Sequence, residues 1–150
     1  RLTVKAEEAL RFQNQVCFPL YAAANAVVRA YRPLLRDLDL TYLQYMTLML
    51  LWEHKQLSVK ALGERMSLDS GTLTPLLKRL EAKGLVSRNR DTEDERVRLI
   101  AVTKAGMALR SKASNIPGQL ACSLGMDAAQ AGKIKHMCEQ LLVALADGQA

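Results

Sequence analysis

Four leucines near the centre of the chain repeat with the spacing of one face of a helix. They follow the order i, i+3, i+4 and i+7 that is typical of an amphipathic α-helix, and they are Leu73, Leu76, Leu77 and Leu80. A shorter helical pattern from Ser58 to Met66 precedes them, and a tight polar turn joins the two. Two short helices joined in this way predict a helix-turn-helix.

After the second helix the pattern changes to that of two short strands. Gly84 can end the helix in a left-handed conformation, and residues 85–90 are expected to form a strand. A charged tip at residues 91–96 leads to a returning strand at residues 97–102, which is rich in branched side chains. The stretch from Leu57 to Thr103 is therefore predicted to be a winged helix-turn-helix.

Helical patterns also precede this winged segment. Residues from about 7 to 35 are predicted to form one long element that ends near Arg32 and Pro33, because proline restricts the residue before it. A further helix is expected from Thr41 to Glu53, where Thr41 and Gln44 match a capping box.

Two more helices are predicted after the wing. One is expected from residue 104 to about 115, where Ile116-Pro117-Gly118 breaks it. Asp127 and Gln130 match a second capping box and open a last helix through about residue 146. Its wide apolar stripe consists of Ile134, Met137, Cys138, Leu141, Leu142 and Leu145.

The predicted fold class is mainly α with a small β wing. We expect the 150 residues to form a single domain, with the winged helix-turn-helix at about 41–103 and dimerisation helices at about 7–35 and 104–147. A terminal helix with a wide apolar stripe needs a surface that covers it. Since DNA-binding proteins of this type match palindromic operators with two-fold symmetry, we expect an obligate homodimer.

The face of the second helix opposite the leucines carries small, hydroxylated or cationic groups, which suit contacts with phosphates and base edges. The candidate DNA-binding residues on this helix are Ser70, Gly71, Thr72, Thr74, Pro75, Lys78 and Arg79. Capping at Asp69 implies a kink at Pro75, whereas capping near Thr72 places Pro75 in the first turn, and both starts stay open. In either case the pattern predicts binding to double-stranded DNA.

The hairpin adds arginines in or near its tip, where they could follow a phosphate backbone or enter a minor groove. These residues are Arg88, Arg90, Arg96 and Arg98. The alternative is a solvated surface hairpin whose acidic side chains and arginines pair with one another.

The composition restricts the possible functions of the chain but does not indicate one. The net charge of +6 permits DNA binding without requiring it. We see no membrane-spanning run and no secretory signal. Three cysteines without a CxxC pair and only two histidines argue against a disulfide scaffold or a metal site. We therefore expect no metal and no cofactor, and the cytoplasm is the expected compartment.

Cys17 is the residue that suggests redox chemistry. It precedes Pro19 by two residues, and proline is tolerated in the first turn of a helix. Cys17 is therefore expected at or near a helix start, whether the cap is Asn14 or a residue closer to Pro19. Unpaired N–H groups and the helix dipole favour a thiolate there. A buried cysteine on an apolar stripe remains the alternative that these residues leave open.

Three segments resemble the OhrR group of the MarR family, winged-helix repressors that sense organic hydroperoxides. They lie at residues 14–18, 40–45 and 68–75, and the wing pattern Asp94-Glu95-Arg96 followed by residues 99–103 is similar to that of MarR proteins in general. The resemblance covers nearly the whole chain. It implies a repressor rather than an enzyme, which binds a pseudo-palindromic operator as a homodimer and has an organic hydroperoxide as inducer.

The resemblance also implies roles for single residues. Cys17 corresponds to the oxidant-reactive cysteine, and Tyr31 and Tyr42 correspond to tyrosines that hydrogen-bond it. In two-cysteine members, a cysteine near the position of Cys122 forms a disulfide with the reactive cysteine across the dimer. Cys122 also lies outside a clear helical stripe, as a mobile resolving cysteine would, whereas packing is the expected role of Cys138.

Helix geometry limits how these tyrosines can act. Tyr31 lies fourteen positions after Cys17 on what should be one helix, about 21 Å away along the axis. It cannot touch Cys17 of its own chain, and Tyr42 on the next helix could join it at the partner's cysteine. The alternative is that both are interface tyrosines. Tyr21 and Tyr45 are expected to pack in the core.

The predicted mechanism is a redox-switched repressor. Organic hydroperoxide oxidises Cys17 to a sulfenic acid, which condenses with Cys122 of the partner subunit. The disulfide changes the separation of the two DNA-binding heads, and the operator is released. Two alternatives remain, a MarR-type repressor released by a small phenolic ligand and a thiol peroxidase with a coincidental wing.

Overall fold

The structure, a computed structural model, describes residues 3–148. Its helices are α1 (Val4–Ala9), α2 (Cys17–Leu35), α3 (Tyr42–His54), α4 (Val59–Met66), α5 (Ser70–Ala82), α6 (Lys104–Lys112), α7 (Ile116–Leu124) and α8 (Ala128–Asp147). Its strands are β1 (Gln56–Ser58), β2 (Val86–Arg90) and β3 (Arg98–Val102). The chain divides into two units, one that ends at Ser114 and one that begins at Asn115. The fold class predicted from the sequence, mainly α with a small β wing, is confirmed.

The core of the first unit lies among α3, α4 and α5. The four predicted leucines of α5 are buried, together with Leu48 and Leu51 of α3 and Leu62 of α4. The capping box that opens α3 is also confirmed, because the Gln44 N–H donates to Thr41 Oγ1 at 3.3 Å and the Thr41 N–H donates to Gln44 Oε1 at 3.1 Å. Helices α4 and α5 therefore form the predicted helix-turn-helix and pack against α3.

Of the two starts left open for α5, the structure has the one at Asp69. The Asp69 carboxylate accepts a hydrogen bond from the Thr72 N–H at 2.7 Å, and Pro75 lies inside the helix. Because proline has no N–H, the carbonyl of Gly71, in the exposed first turn, receives no helical hydrogen bond from residue 75. At the other end Gly84 is left-handed, with φ +72°, as the sequence predicted.

The wing is a three-stranded antiparallel sheet in the order β1-β3-β2. Strands β2 and β3 lie within one residue of their predicted ranges. The sequence analysis did not predict β1, whose Leu57 pairs with Ile100 of β3, because a three-residue strand has too few positions to show alternation. The indole N–H of Trp52 donates to the Gly106 carbonyl at 2.8 Å. A Cβ on Gly106 would lie 2.2 Å from the Leu85 carbonyl oxygen, so this close contact requires glycine.

The single N-terminal element predicted from about 7 to 35 is wrong, because α1 and α2 are separate helices. The side-chain amide of Asn14 donates to the Glu8 carbonyl at 2.8 Å, and that of Gln15 donates to the Ala9 carbonyl at 2.8 Å. These amides satisfy carbonyls at the end of α1 that a continuous helix would have bonded itself. Helix α2 then passes through Pro33 and ends at Leu35.

The predicted helix break at Ile116-Pro117-Gly118 is also wrong. Helix α6 ends earlier, at Lys112, and these three residues begin α7. Proline is favoured in the first turn of a helix, where its missing N–H has no intrahelical acceptor to lose. In α8 the predicted capping box is confirmed, with the Gln130 N–H donating to Asp127 Oδ1 at 2.8 Å.

None of the helices between residues 3 and 148 combines the length and the apolar character that a membrane crossing requires.

Candidate functional site

The predicted DNA-binding face of α5 points away from the buried leucines. Six of its seven candidate side chains are exposed and Thr74 is half-buried. The exposed set is Ser70, Gly71, Thr72, Pro75, Lys78 and Arg79. Helix α5 is therefore anchored on one side and presents hydroxyl groups and two cations to solvent on the other.

The arginines of the wing are in different electrostatic situations. Arg88 lies 3.4 Å from Glu81 of α5 and Arg96 lies 3.1 Å from Asp94. Arg90 and Arg98 stand directly opposite each other in the pairing of β2 with β3. Two like charges in cross-strand positions repel each other, so this pair concentrates positive charge at the base of the hairpin tip.

The tip of the wing is ordered by its own acidic side chains. Asp94 Oδ1 accepts hydrogen bonds from the Arg96 backbone N–H at 3.0 Å and from its side chain at 3.1 Å. The hydrogen bonds from the Arg96 side chain lower the pKa of Asp94. The alternative given above, a hairpin whose acidic side chains and arginines pair with one another, therefore applies to Arg96. It does not apply to Arg90 and Arg98, which lie opposite each other.

Cys17 is the first residue of α2 and is exposed. The cap is Val16, which offers no side-chain hydrogen bond, rather than Asn14. Aromatic side chains surround this helix start, with ring centroids 4.7 Å apart for Phe12 and Phe18 and 6.2 Å apart for Phe18 and Tyr21. Core packing of Tyr21 is therefore a wrong prediction, since its side chain is 66% exposed.

Tyr31 and Tyr42 meet near the other end of α2. Their ring centroids are 4.8 Å apart, and the ring of the buried Tyr45 lies 5.9 Å from that of Tyr31. Burial raises the pKa of Tyr42 above 10.0, and burial, followed by the proximity of Tyr42 and Tyr45, raises the pKa of Tyr31. Both hydroxyls therefore stay protonated at neutral pH and can donate hydrogen bonds.

Cys17 and Tyr31 do belong to one helix, which makes their separation about 21 Å along the axis. The expectation that Tyr31 cannot touch Cys17 of its own chain is therefore confirmed.

Cys122 is exposed and belongs to a helix that was not predicted from the sequence. It lies in α7, which ends at the left-handed Gly125, so any mobility needed to form a disulfide must come from movement of this short helix. Cys138 is half-buried on α8, and all three cysteines are free thiols. Within residues 3–148, no three His, Cys, Asp or Glu side chains are grouped as metal ligands would be.

A polar contact that was not predicted from the sequence joins the end of α5 to the start of α3. The Lys83 ammonium group donates to Gln44 Oε1 at 3.2 Å and lies 3.4 Å from Asp39 Oδ2. Gln44 belongs to the capping box next to Tyr42. No local pattern points to this contact, because Lys83 and Gln44 are 39 positions apart.

Comparison with known proteins identifies relatives of this chain. The family model of the MarR family matches residues 40–97. The organic hydroperoxide resistance transcriptional regulator of Bacillus subtilis strain 168 is 46% identical over 136 residues, which cover 91% of this chain and 90% of that protein. The regulator SarZ of Staphylococcus saprophyticus is 38% identical over 130 residues, with coverage of 87% and 89%. These relatives are transcriptional regulators, as expected, and not enzymes.

Solved structures allow a comparison of redox states. Reduced AbfR bound to DNA superposes with a TM-score of 0.78 at 31% identity, covering 95% of this chain and 99% of that chain. AbfR is a Staphylococcus epidermidis protein, and its disulfide form superposes with a TM-score of 0.60 at 28% identity, covering 92% and 97%. Reduced, DNA-bound AbfR therefore superposes on this chain with a higher TM-score than the disulfide form does.

Proposed function

Because the chain belongs to the MarR family, we propose that it is a transcriptional repressor regulated by organic hydroperoxides through Cys17. The single observation that carries this proposal is the arrangement of α2. It holds an exposed cysteine at its first residue and one member of a half-buried tyrosine pair fourteen positions later. In a homodimer with antiparallel or crossing α2 helices, each cysteine would meet the tyrosine pair of the other subunit.

DNA binding is supported by the exposed face of α5 and by the wing. Helix α5 would enter a major groove, and the two α5 helices of a dimer would lie about 34 Å apart on a pseudo-palindromic operator. The opposed Arg90 and Arg98 side chains would then lie near phosphates, which relieve the repulsion between them.

The homodimer is supported by apolar side chains that each unit leaves exposed. Phe18 and Leu20 of α2 are exposed, as are Leu141 and Leu142 of α8. Extended apolar surface of this kind marks an interface in a water-soluble protein.

The proposed chemistry begins at the Cys17 thiolate. Its sulfur attacks the terminal oxygen of the hydroperoxide, the O–O bond breaks, and a sulfenic acid and an alcohol form. Tyr31 and Tyr42 of the other subunit would donate hydrogen bonds to the thiolate before the attack. Cys122 of the partner subunit then displaces the sulfenic hydroxyl as water, and the intersubunit disulfide moves α2 enough to separate the operator-binding helices.

This cycle requires a reduced resting state. Cys17 and Cys122 are exposed free thiols, and the reducing conditions of the cytoplasm keep such thiols reduced until an oxidant arrives. The cytoplasm is therefore the proposed compartment.

Operator binding tests the proposal directly. Fluorescence anisotropy of labelled operator is measured with reduced protein during titration with cumene hydroperoxide. The wild type should leave the operator, a dithiol should restore binding, and the Cys17→Ser variant should stay bound at the same hydroperoxide concentration. Retention of the wild type together with Cys17→Ser would refute redox control.

A second experiment tests Cys122. After oxidation, wild type should migrate as a disulfide-linked dimer on a non-reducing gel, whereas Cys122→Ser should stay monomeric and accumulate sulfenic acid at Cys17. The matched control is Cys138→Ser, which should cross-link as the wild type does. A cross-linked dimer of oxidised Cys122→Ser would refute the assignment of Cys122.

A further inference from the structure

The end of helix α5 is bound to the α2–α3 junction, which comprises residues 36–44. Lys83, which follows the last residue of α5, donates to the Asp39 carbonyl and, at 3.2 Å, to Gln44 Oε1. Its ammonium group also lies 3.4 Å from Asp39 Oδ2. Because an ammonium group has three donors, the three oxygen atoms of the junction provide an acceptor for each of them.

The acceptors of Lys83 belong to backbone and side chains that are themselves held in place. Asp39 ends a short 3-10 helix in a left-handed conformation, with φ 52°, which aspartate tolerates better than most residues. Gln44 is 3% exposed, and its Oε1 accepts from the Thr41 N–H as well as from Lys83. The ammonium group is therefore bound directly to the capping box of α3.

This contact restrains α5 in a way that its leucine face does not. Apolar contacts are non-directional, so they restrain the tilt of a helix less than hydrogen bonds, which have preferred distances and angles. Helix α5 has 13 residues, which makes it about 20 Å long, and a tilt of about 5° at its Lys83 end moves its first turn by about 1.7 Å. A shift of this size breaks a hydrogen bond to a base edge.

We propose that Lys83 is a positioning residue, which holds α5 at the angle that operator recognition requires. Lys83 itself does not contact DNA, because its ammonium group is bound to the α2–α3 junction.

The same junction connects the helices that carry Tyr31 and Tyr42. A movement of α2 on oxidation therefore displaces the acceptors of Lys83 and releases the end of α5. The inference rests on the proposed function, both for DNA as the ligand and for the reduced state as the one that binds it.

Two other roles of Lys83 predict different results. A lysine that binds a phosphate contributes equally to every DNA sequence, and its loss lowers the slope of log Kd against log salt concentration by about 0.9. A lysine that only stabilises the fold changes the urea midpoint but not the Kd of the folded protein. A positioning lysine changes the preference for the operator, because base contacts depend on the angle of α5 whereas backbone contacts provide the affinity for any sequence.

The test measures the fluorescence anisotropy of two labelled duplexes with the reduced protein. One duplex contains an operator selected by the wild type from random sequences, and the other contains the same bases in scrambled order. The Kd of each is measured at several salt concentrations for the wild type and for Lys83→Met. Far-UV circular dichroism checks that the variant is folded, and Lys83→Ala is the second variant if methionine is not tolerated.

Lys112→Met is the matched control. It removes the same charge from an exposed position at the end of α6, and it should keep the wild-type Kd for both duplexes.

We expect Lys83→Met to raise the operator Kd about tenfold, which corresponds to about 1.4 kcal/mol, and to change the Kd of the scrambled duplex by less than about twofold. The salt slope should stay that of the wild type. After oxidation with cumene hydroperoxide, the wild type and Lys83→Met should bind the operator equally weakly, because oxidation has already displaced the contact.

An unchanged preference for the operator in Lys83→Met, or a salt slope lowered by about 0.9, would overturn the inference. An equal loss of preference in Lys112→Met would also overturn it, since the loss of charge would then be a sufficient cause. Oxidised Lys83→Met that binds the operator about tenfold more weakly than the oxidised wild type would contradict the release of Lys83 on oxidation.

Failure of the proposed function has a different result. A wild type that stays on the operator after oxidation would refute redox control, while a lost operator preference in reduced Lys83→Met would still support Lys83 as the residue that positions α5.

Discussion

The winged helix-turn-helix and the terminal helices use the same apolar residue types in opposite ways. In α3, α4 and α5, side chains such as Leu48, Leu62 and Leu80 are fully buried. In α8, Leu142 and Leu145 have comparable helical spacing, yet they are 54% and 58% exposed. The first set is therefore covered by its own chain, whereas the second set requires another surface.

The apolar helix faces of this chain are therefore of two kinds. The leucines of α5 face a core that the chain closes around them. Phe18 and Leu20 of α2 are exposed in the single chain, as is the apolar stripe of α8. An amphipathic pattern therefore indicates that one face of a helix will be covered, but it does not indicate which molecule covers it.

The largest effect is expected from a charge placed in the apolar stripe of α8. In a two-fold symmetric dimer each substitution occurs twice, and each buried leucine contributes about 2 kcal/mol. Leu142→Lys should therefore weaken the dimer by about 4 kcal/mol, or about a thousandfold in its dissociation constant. Sedimentation equilibrium measures this constant.

Gln140→Lys is the matched control for that experiment. It adds the same charge to α8 at an exposed position outside the apolar stripe, and the dimer should keep its dissociation constant. A Leu142→Lys protein that dimerises as tightly as Gln140→Lys would show that the α8 stripe is not the interface.

The complementary substitution is made in the winged helix-turn-helix. Leu62 of α4 is fully buried, so Leu62→Ala should lower the free energy of unfolding by about 3 kcal/mol through lost burial and a residual cavity. Urea unfolding followed by circular dichroism measures the change. Lys60→Ala on the exposed face of the same helix should change it by less than about 0.5 kcal/mol, and equal losses for both would contradict the assigned core.

A smaller effect is expected at the junction between the two regions. Thr41 caps α3 and forms the capping box with Gln44. Thr41→Ala should cost about 1 kcal/mol of unfolding free energy, because the Gln44 N–H loses its acceptor. Thr41→Ser keeps a hydroxyl at the same place and should retain most of the stability, so a serine variant as unstable as the alanine variant would argue against the cap.

The fold could be predicted where local patterns decide it. The α5 leucines, the Thr41 and Asp127 capping boxes and the left-handed Gly84 all have signals within a few residues, and all are confirmed. The break between α1 and α2 was missed, because it depends on side-chain amides that reach back to backbone carbonyls.

The site was predictable to a similar extent. A position of Cys17 at or near a helix start followed from Pro19, and the choice of Tyr31 and Tyr42 followed from the resemblance to the OhrR group, whereas the contact between their rings was not predicted. The contact between Lys83 and Gln44 was not found. It depends on segments that are distant in sequence and become neighbours only when the chain folds.

The smallest effect is expected at the tyrosines where α2 meets α3. Burial raises the pKa of Tyr42 above 10.0, so the folded state holds this proton more tightly than the unfolded state. The stability that this tighter proton binding contributes is fully present below pH 10. It is lost as the pH rises through the pKa of Tyr42 in the folded protein.

Tyr42→Phe removes this titration. Its urea midpoint should therefore fall less steeply than that of the wild type between about pH 9 and about pH 11. Tyr31→Phe should behave in the same way, since burial is also the main cause of its raised pKa. A wild-type slope in both variants would mean that these hydroxyls are as accessible to water in the folded protein as in the unfolded chain. The tyrosine pair would then belong with the exposed terminal surface rather than with the buried core.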